Sequence, residues 1–172
     1  MSATPVLCIV GQSGGGKTTF IEKLIPEIKK RGYRIAVIKH HPHDFNMDVE
    51  GKDSWRYMQA GSDAAMVSAP HKAALIKNVD HDLSPDELRT LVGDGFDLII
   101  IEGFKKSGEP KIEVHRKALG KGLVCAPDDL IAIATDEKLD IPVAQYDLTD
   151  IIGVADLIEQ KLLIKSQRKS AR

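Results

Sequence analysis

The chain has 172 residues, 42% of them hydrophobic and 28% charged, with a formal net charge of -1. That length and composition fit one soluble domain with a substantial core, residues 1–172. The near-neutral balance argues against a protein whose main partner is nucleic acid. No apolar stretch approaches the roughly 20 residues that span a bilayer, and the N-terminus has no basic region followed by a signal-type apolar run. A cytoplasmic protein is therefore expected. The two cysteines, Cys8 and Cys125, read as reduced and structural rather than as a disulfide framework.

In chain order, Val6 to Val10 is short, apolar and branched, as a strand buried on both faces should be. It leads into Gly11-Gln12-Ser13-Gly14-Gly15-Gly16-Lys17-Thr18-Thr19, a full match to the phosphate-loop pattern G-x-x-x-x-G-K-[ST]. Such glycines let backbone N–H groups turn toward phosphates, and a helix N-terminus adds partial positive charge. Lys17 then reaches the β and γ phosphates and the Thr18 hydroxyl ligates Mg²⁺. A glycine-rich turn that binds nothing is the bland alternative, and it needs neither the lysine nor the hydroxyl. Phe20, Ile21, Leu24, Ile25 and Ile28 continue at helical spacing toward Gly32, with Pro26 predicting a kink or an early break.

Ile35 to Ile38 reads as a second strand, and it delivers Lys39-His40-His41-Pro42-His43-Asp44, where three of the six histidines fall within four positions. Two readings stay open for this loop: phosphate and substrate contact, or a transition-metal site. Asp44 and Asp48 are candidates for the Mg²⁺ shell, with solvated loop acids as the alternative. Lys52 to Ala60 reads as a short helix ended by Gly61. Ala64 to Ser68 and Ala73 to Lys77 read as a hairpin, and Ser84 to Val92 as a helix with Ser84 at its N-cap and Pro85 at its first position.

Phe96 to Glu102 carries the strongest strand pattern, and its terminal carboxylate suits Mg²⁺ coordination through water or orientation of an attacking water. Pro110 to His115, Leu130 to Thr135 and Pro142 to Gln145 are further strand candidates, followed by a helix from about Asp150 to Lys165. Lys105 to Ala126 reads as a possible mobile segment. Alternating strands and helices imply an α/β fold: a largely parallel twisted sheet flanked by helices, with a short antiparallel extension. Ligands of such sheets bind at the carboxyl ends of the strands. There Asp136 can accept from guanine N1–H and N2–H, or serve as a plain turn cap.

The elements Gly11-x4-Gly16-Lys17-Thr18, Ile38-Lys39-His40-x-x-His43-Asp44, Met47-Asp48-Val49-x-Gly51-Lys52-Asp53-Ser54 with Ala60-Gly61, and Ile101-Glu102-Gly103-Phe104-Lys105 together resemble the MobB family. The resemblance covers residues 5 to 160, and the Glu-Gly-Phe-Lys and Gly-Lys-Asp-Ser elements are its most specific parts. It implies a P-loop NTPase fold, a homodimer, GTP and Mg²⁺ as ligands, and at most slow GTP hydrolysis. It further implies an adaptor role in molybdenum cofactor biosynthesis, with molybdopterin or its guanine dinucleotide as cargo. The implied partners are the guanylyltransferase that attaches GMP to the pterin and the proteins that insert the finished cofactor.

Carried over residue by residue, Gly11 to Thr19 bind phosphates and Glu102 is the acid of the second motif. Lys39 to Asp53, including Lys39, His40, His43 and Asp48, form the loop facing the γ phosphate or the pterin pyrophosphate, and Lys105 joins the cofactor-binding set. Lys17, Asp48 and Glu102 are the residues expected to act on the γ phosphate. Two other classes stay open. A small-metabolite kinase would need a lid carrying arginines, for which only Arg89 and Arg116 are available between Leu75 and Ile131. A catalytically silent dimeric scaffold is the other.

Overall fold

The structure is a computed structural model that describes residues 3–41 and 43–163. It forms two compact units, one made of residues up to His40 and from Pro85 onward, the other of His41–Ser84. The larger unit holds a six-stranded parallel sheet made of β1 (Val6–Val10), β2 (Ile35–Lys39), β5 (Leu98–Glu102), β6 (Lys111–His115), β7 (Leu130–Thr135) and β8 (Gln145–Asp147). Their spatial order is β2-β5-β1-β6-β7-β8, and every pair is parallel. The smaller unit carries α2 (Asp53–Gln59) and the antiparallel pair β3 (Ala64–Ala69) and β4 (Lys72–Lys77). Helices α1 (Lys17–Lys30), α3 (Pro85–Val92) and α4 (Ile151–Ile158) belong to the larger unit.

Burial explains why β1 and β5 were the clearest strands in the sequence: all of Val6–Val10 and Leu98–Ile101 are buried. Alternate residues serve opposite faces. Leu7, Ile9, Leu98, Ile100, Ile112 and Val114 meet α1 and α4, while Val6, Cys8, Val10, Ile99 and Ile101 meet Leu88 of α3 and the loop residues Phe104, Leu123, Val124 and Cys125. Both cysteines are free thiols, and burial pushes each of them up from the ordinary thiol pKa.

Three expectations change. Helix α1 does not break at Pro26 but runs on to Lys30. A mid-helix proline costs about 3 kcal/mol, whereas each large side chain buried contributes about 1.5–3 kcal/mol, and Phe20, Ile21, Leu24 and Ile28 are all buried. The last strand lies at Gln145–Asp147 rather than Pro142–Gln145. Pro142 has no N–H for the ladder, and the Gln145 side chain instead closes the preceding loop by bonding both the N–H and the carbonyl of Leu139. The C-terminal helix starts as expected, with the Asp150 carboxylate accepting from Gly153 N–H, then passes into a π-helical turn at Glu159–Leu163. The remainder of its expected span, and the basic residues Lys165, Arg168, Lys169 and Arg172, lie outside the described residues.

Strand β6 contains Lys111, Glu113 and His115 on one face, all buried. Each is satisfied by a neighbouring loop. The Lys111 ammonium donates to the carbonyls of Ser107 and Glu109, the Glu113 carboxylate accepts from Val124 N–H (2.7 Å) and Cys125 N–H (3.1 Å), and His115 Nε2 lies 2.9 Å from the Glu137 carboxylate. The stretch from Lys105 to Ala126 is thus tied to the central sheet at several points, and it includes a 3₁₀ turn at Lys117–Leu119.

Among the described residues no helix is long and apolar enough to cross a membrane. In the smaller unit only Ala65 of the two strands is buried, and Met66, Val67 and Leu75 are exposed.

Burial holds the Glu113 carboxyl above the usual carboxylate range despite its two amide donors. A raised folded-state pKa adds stability that is complete below the unfolded carboxylate value and is lost as pH rises through the raised one. Thermal unfolding from acid to neutral pH should show this decline in the wild type and not in Glu113→Gln. At low pH the variant should be weaker by about 1–3 kcal/mol, because its amide NH₂ faces one of the two N–H groups. A variant as stable as the wild type with the same pH slope would contradict the assignment.

Candidate nucleotide site

The site begins where β1 ends. Gly11 has φ +142°, and a Cβ placed on it would lie 2.3 Å from the carbonyl oxygen of Val114 in β6. Only glycine lets the chain turn there. Gly15 N–H donates to Gln12 O at 3.1 Å, closing the loop on itself, and Gly14 and Gly16 both adopt left-handed φ. Gly16 then starts α1, its carbonyl accepting from Phe20 N–H. Helix α1 has no side-chain cap at its N-terminus and no acidic residue in its first turn. Its first N–H groups and the positive end of its dipole thus meet no negative side chain of their own helix, which suits an anion. Lys17 folds its ammonium over the loop, donating to Gly11 O (3.2 Å) and Gln12 O (2.9 Å).

Glu102 ends β5, beside β1. Its Oε2 accepts from the Thr18 hydroxyl at 3.0 Å and its Oε1 lies 3.8 Å from Lys39 Nζ at the end of β2. The sequence-predicted Lys17, Thr18, Lys39 and Glu102 therefore stand on adjacent elements at one end of the sheet. A hydroxyl and a carboxylate in contact at the rim of a phosphate loop suit Mg²⁺, which binds through one or two protein oxygens plus phosphates and water. Among the described residues no three His, Cys, Asp or Glu side chains are grouped to hold a metal unaided.

The predicted His40 and a ring not singled out as a site residue in the sequence, Phe104, lie beside Glu102. Phe104 has φ +59°, rare for a bulky residue, and its ring stacks on His40 with centroids 4.1 Å apart. Gly103 permits this, since a Cβ there would lie 3.3 Å from His40 Cβ and the His40 carbonyl oxygen. Lys105 is exposed just beyond.

On the other side of the loop, Arg116 follows β6 and its Nε donates to Gly15 O at 3.0 Å. It was legible only as a possible lid arginine, although its place directly after a strand is where ligand contacts are expected. Asp136 follows β7. Its Oδ1 accepts from Lys117 N–H at 2.8 Å, so it acts as a cap for the segment after β6. It also lines an open depression of about 330 Å³ with Thr135, Glu137, Lys138, Gln145, Tyr146 and Asp147.

The remaining predicted residues belong to the smaller unit. His43 N–H donates to His41 Nδ1 and Asp44 is exposed. The Asp48 Oδ1 accepts from Val49 N–H and from the Ser54 hydroxyl, both at 2.9 Å, fixing the turn into α2. Its Oδ2 is shielded and has no hydrogen-bond partner among the described residues.

A parallel α/β sheet with a phosphate loop after its central strand and an acid ending the neighbouring strand defines a P-loop protein. A model of the MobB family, "Molybdopterin guanine dinucleotide synthesis protein B", matches residues 6–136. The chain is 40% identical over 163 residues to the molybdopterin-guanine dinucleotide biosynthesis adapter protein of Haemophilus influenzae, covering 92% of this chain and 89% of that one. It is 35% identical to the Escherichia coli adapter protein, covering 90% and 91% of the two chains. The crystal structure of Bacillus subtilis MobB superposes with a TM-score of 0.73 at 30% identity, covering 92% of this chain and 98% of that one. The chain belongs to the MobB family.

The seating of the loop gives a direct test. Gly11→Ala should lower stability by about 1–3 kcal/mol, the cost of forcing a side chain into glycine-only backbone space, with the added Cβ against Val114 O. Urea unfolding followed by circular dichroism reads this as a fall in the midpoint. An unchanged midpoint would mean the loop does not lie against β6 as described.

Proposed function

We propose that this chain is a GTP-binding adaptor of molybdenum cofactor biosynthesis that assists the guanylyltransferase attaching GMP to molybdopterin and helps deliver the guanine dinucleotide cofactor to its enzymes. The observation that carries the GTP reading is the Thr18–Glu102 contact at the rim of an uncapped, acid-free helix start. It supplies a Mg²⁺ position beside a positively polarised phosphate cradle. In this reading Gly11 to Thr19 hold the phosphates, Lys17 neutralises the β and γ groups, and Thr18 and Glu102 hold the metal. Asp136, on the rim of the depression beyond β7, would read guanine with the oxygen that does not cap Lys117.

Hydrolysis is slow or negligible in this account. A phosphoryl-transfer enzyme stabilises the charge of the transferred group with mobile cations. Arg89 is instead paired with Asp86 and Glu109, and Arg116 sits on an anchored segment beside Gly15 rather than on a mobile lid. That disfavours the small-metabolite kinase.

The cargo is molybdopterin or its guanine dinucleotide, whose phosphates would meet Lys39 and His40 after β2, with Lys105 beyond Glu102. The working form is a cytoplasmic homodimer. Support for a dimer comes from β3 and β4, a two-stranded sheet with exposed apolar residues and open edges, which is marginal alone and invites a partner strand.

Calorimetric titration should give Mg²⁺-dependent binding of GTP in preference to ATP, with light scattering on the same sample giving twice the chain mass. Lys17→Ala should abolish or greatly weaken binding. Glu102→Gln should leave most of the affinity while lowering any turnover. In reconstituted cofactor guanylylation, adding the protein should raise the yield of the transferase. Rapid ATP consumption on adding a hydroxylated metabolite would overturn the adaptor reading.

A further inference from the structure

Arg116 is a cation at the phosphate loop that lies outside the loop's own sequence pattern. Its backbone is the extended residue between β6 and the 3₁₀ turn at Lys117–Leu119. Asp136 fixes the next residue by accepting from Lys117 N–H, so the arginine projects from an anchored position. The side chain is half-buried. Its Nε donates to Gly15 O at 3.0 Å, and its Nη2 and Nε lie 3.1 and 3.2 Å from where a Cβ on Gly16 would sit. The absence of a side chain at Gly16 thus makes room for the guanidinium beside the first residue of α1.

Charge makes this placement informative. A guanidinium offers five N–H donors in a planar fork. Among the described residues, Gly15 O is the only hydrogen-bond partner of the Arg116 side chain, and no carboxylate pairs with it. By contrast, Arg31 is paired with Glu27, Asp156 and Glu159, and Arg89 with Asp86 and Glu109. A half-buried cation held beside an anion-binding helix start, with donors to spare, fits an anionic partner from outside the chain.

Strand order says which part of a nucleotide that is. The loop follows β1. Glu102 and Thr18, the metal and γ-phosphate side, adjoin β5, while the depression beyond Asp136 lies at β7 and β8. β6 stands between β1 and β7, so the residue that follows it, Arg116, would face the stretch of nucleotide between the β phosphate and the base.

Resting on the GTP-binding reading above, we infer that Arg116 contacts the nucleotide directly, bridging Gly15 O and the α-phosphate. It is a second phosphate-binding cation, at the opposite end of the triphosphate from the metal. Its contribution is present in every nucleotide that has an α-phosphate, whereas that of Lys17 requires the β or γ phosphate.

The test is a set of affinities for GTP, GDP, GMP and guanosine, measured by calorimetry or ligand-observed NMR. Wild type, Arg116→Ala, Arg116→Lys and Lys17→Ala are compared, with thermal melting as the check on folding. Arg116→Ala should weaken GTP, GDP and GMP each by about tenfold, the scale of one charge-assisted hydrogen bond, and leave guanosine unchanged. Arg116→Lys, which keeps the charge without the fork, should recover part of the GMP affinity, and it answers the question alone if the alanine variant does not fold. Lys17→Ala should weaken GTP and GDP while sparing GMP. Loss of GTP and GDP with GMP unchanged in Arg116→Ala would mean that the arginine merely props the loop, overturning the inference. So would unchanged affinity for all of them alongside the expected Lys17→Ala loss. A wild-type protein that binds none of the four would overturn the GTP reading itself.

Discussion

The close approach of Gly11 to the carbonyl of Val114 is the constraint on which the rest of the site depends. A gap that would leave a Cβ only 2.3 Å from that oxygen forces glycine at the end of β1 and sets where the following loop can run. From there Gly15 folds back on Gln12, Gly16 starts α1, and Lys17 and Thr18 enter a first turn that has no acidic residue of its own. The site is therefore a product of sheet packing. β1 can carry the loop because it is buried between β5 and β6, and those neighbours bring Glu102 to one side of it and Arg116 to the other.

Polar groups inside the sheet serve the same end. Lys111, Glu113 and His115 on β6 are buried, and each costs desolvation unless bonded. Each binds a different loop, and through Val124, Cys125 and Glu137 they hold the segments that border the phosphate loop and the depression at β7 and β8. At the far end of α1, Arg31 joins Glu27, Asp156 and Glu159, and the Tyr33 hydroxyl, donating to Glu159, is pushed up to about 12. Helix α1 is thus fixed at the end away from the phosphate loop while its N-terminus carries no side-chain cap.

How much of this was legible follows from what each residue does locally. Val6–Val10 and Leu98–Glu102 declared themselves because burial on both faces demands continuous apolar runs. The phosphate loop was legible because its glycines, lysine and hydroxyl are all required within one short segment. Thr18 and Glu102 were named separately, and their contact is a consequence of the β1–β5 pairing. β6 was harder, because its alternation of charged and apolar residues is the pattern of a half-exposed strand, and only tertiary partners make its burial tolerable. Pro142 hid the true position of β8, and Pro26 suggested a break that buried contacts override. Arg116 was not marked as a ligand contact, and the pairing of His40 with Phe104 was not foreseen, since each gains its position from a strand distant in sequence.

The central claim is that the Gly11–Thr19 loop holds a guanine nucleotide whose metal lies between Thr18 and Glu102. A crystal structure of the protein with Mg²⁺ and a non-hydrolysable GTP analogue tests it most directly. The account predicts the metal on Thr18 Oγ1 with Glu102 in contact directly or through water, and the Lys17 ammonium moved from the Gly11 and Gln12 carbonyls onto phosphate. A nucleotide bound elsewhere, or a metal away from Thr18 and Glu102, would contradict it.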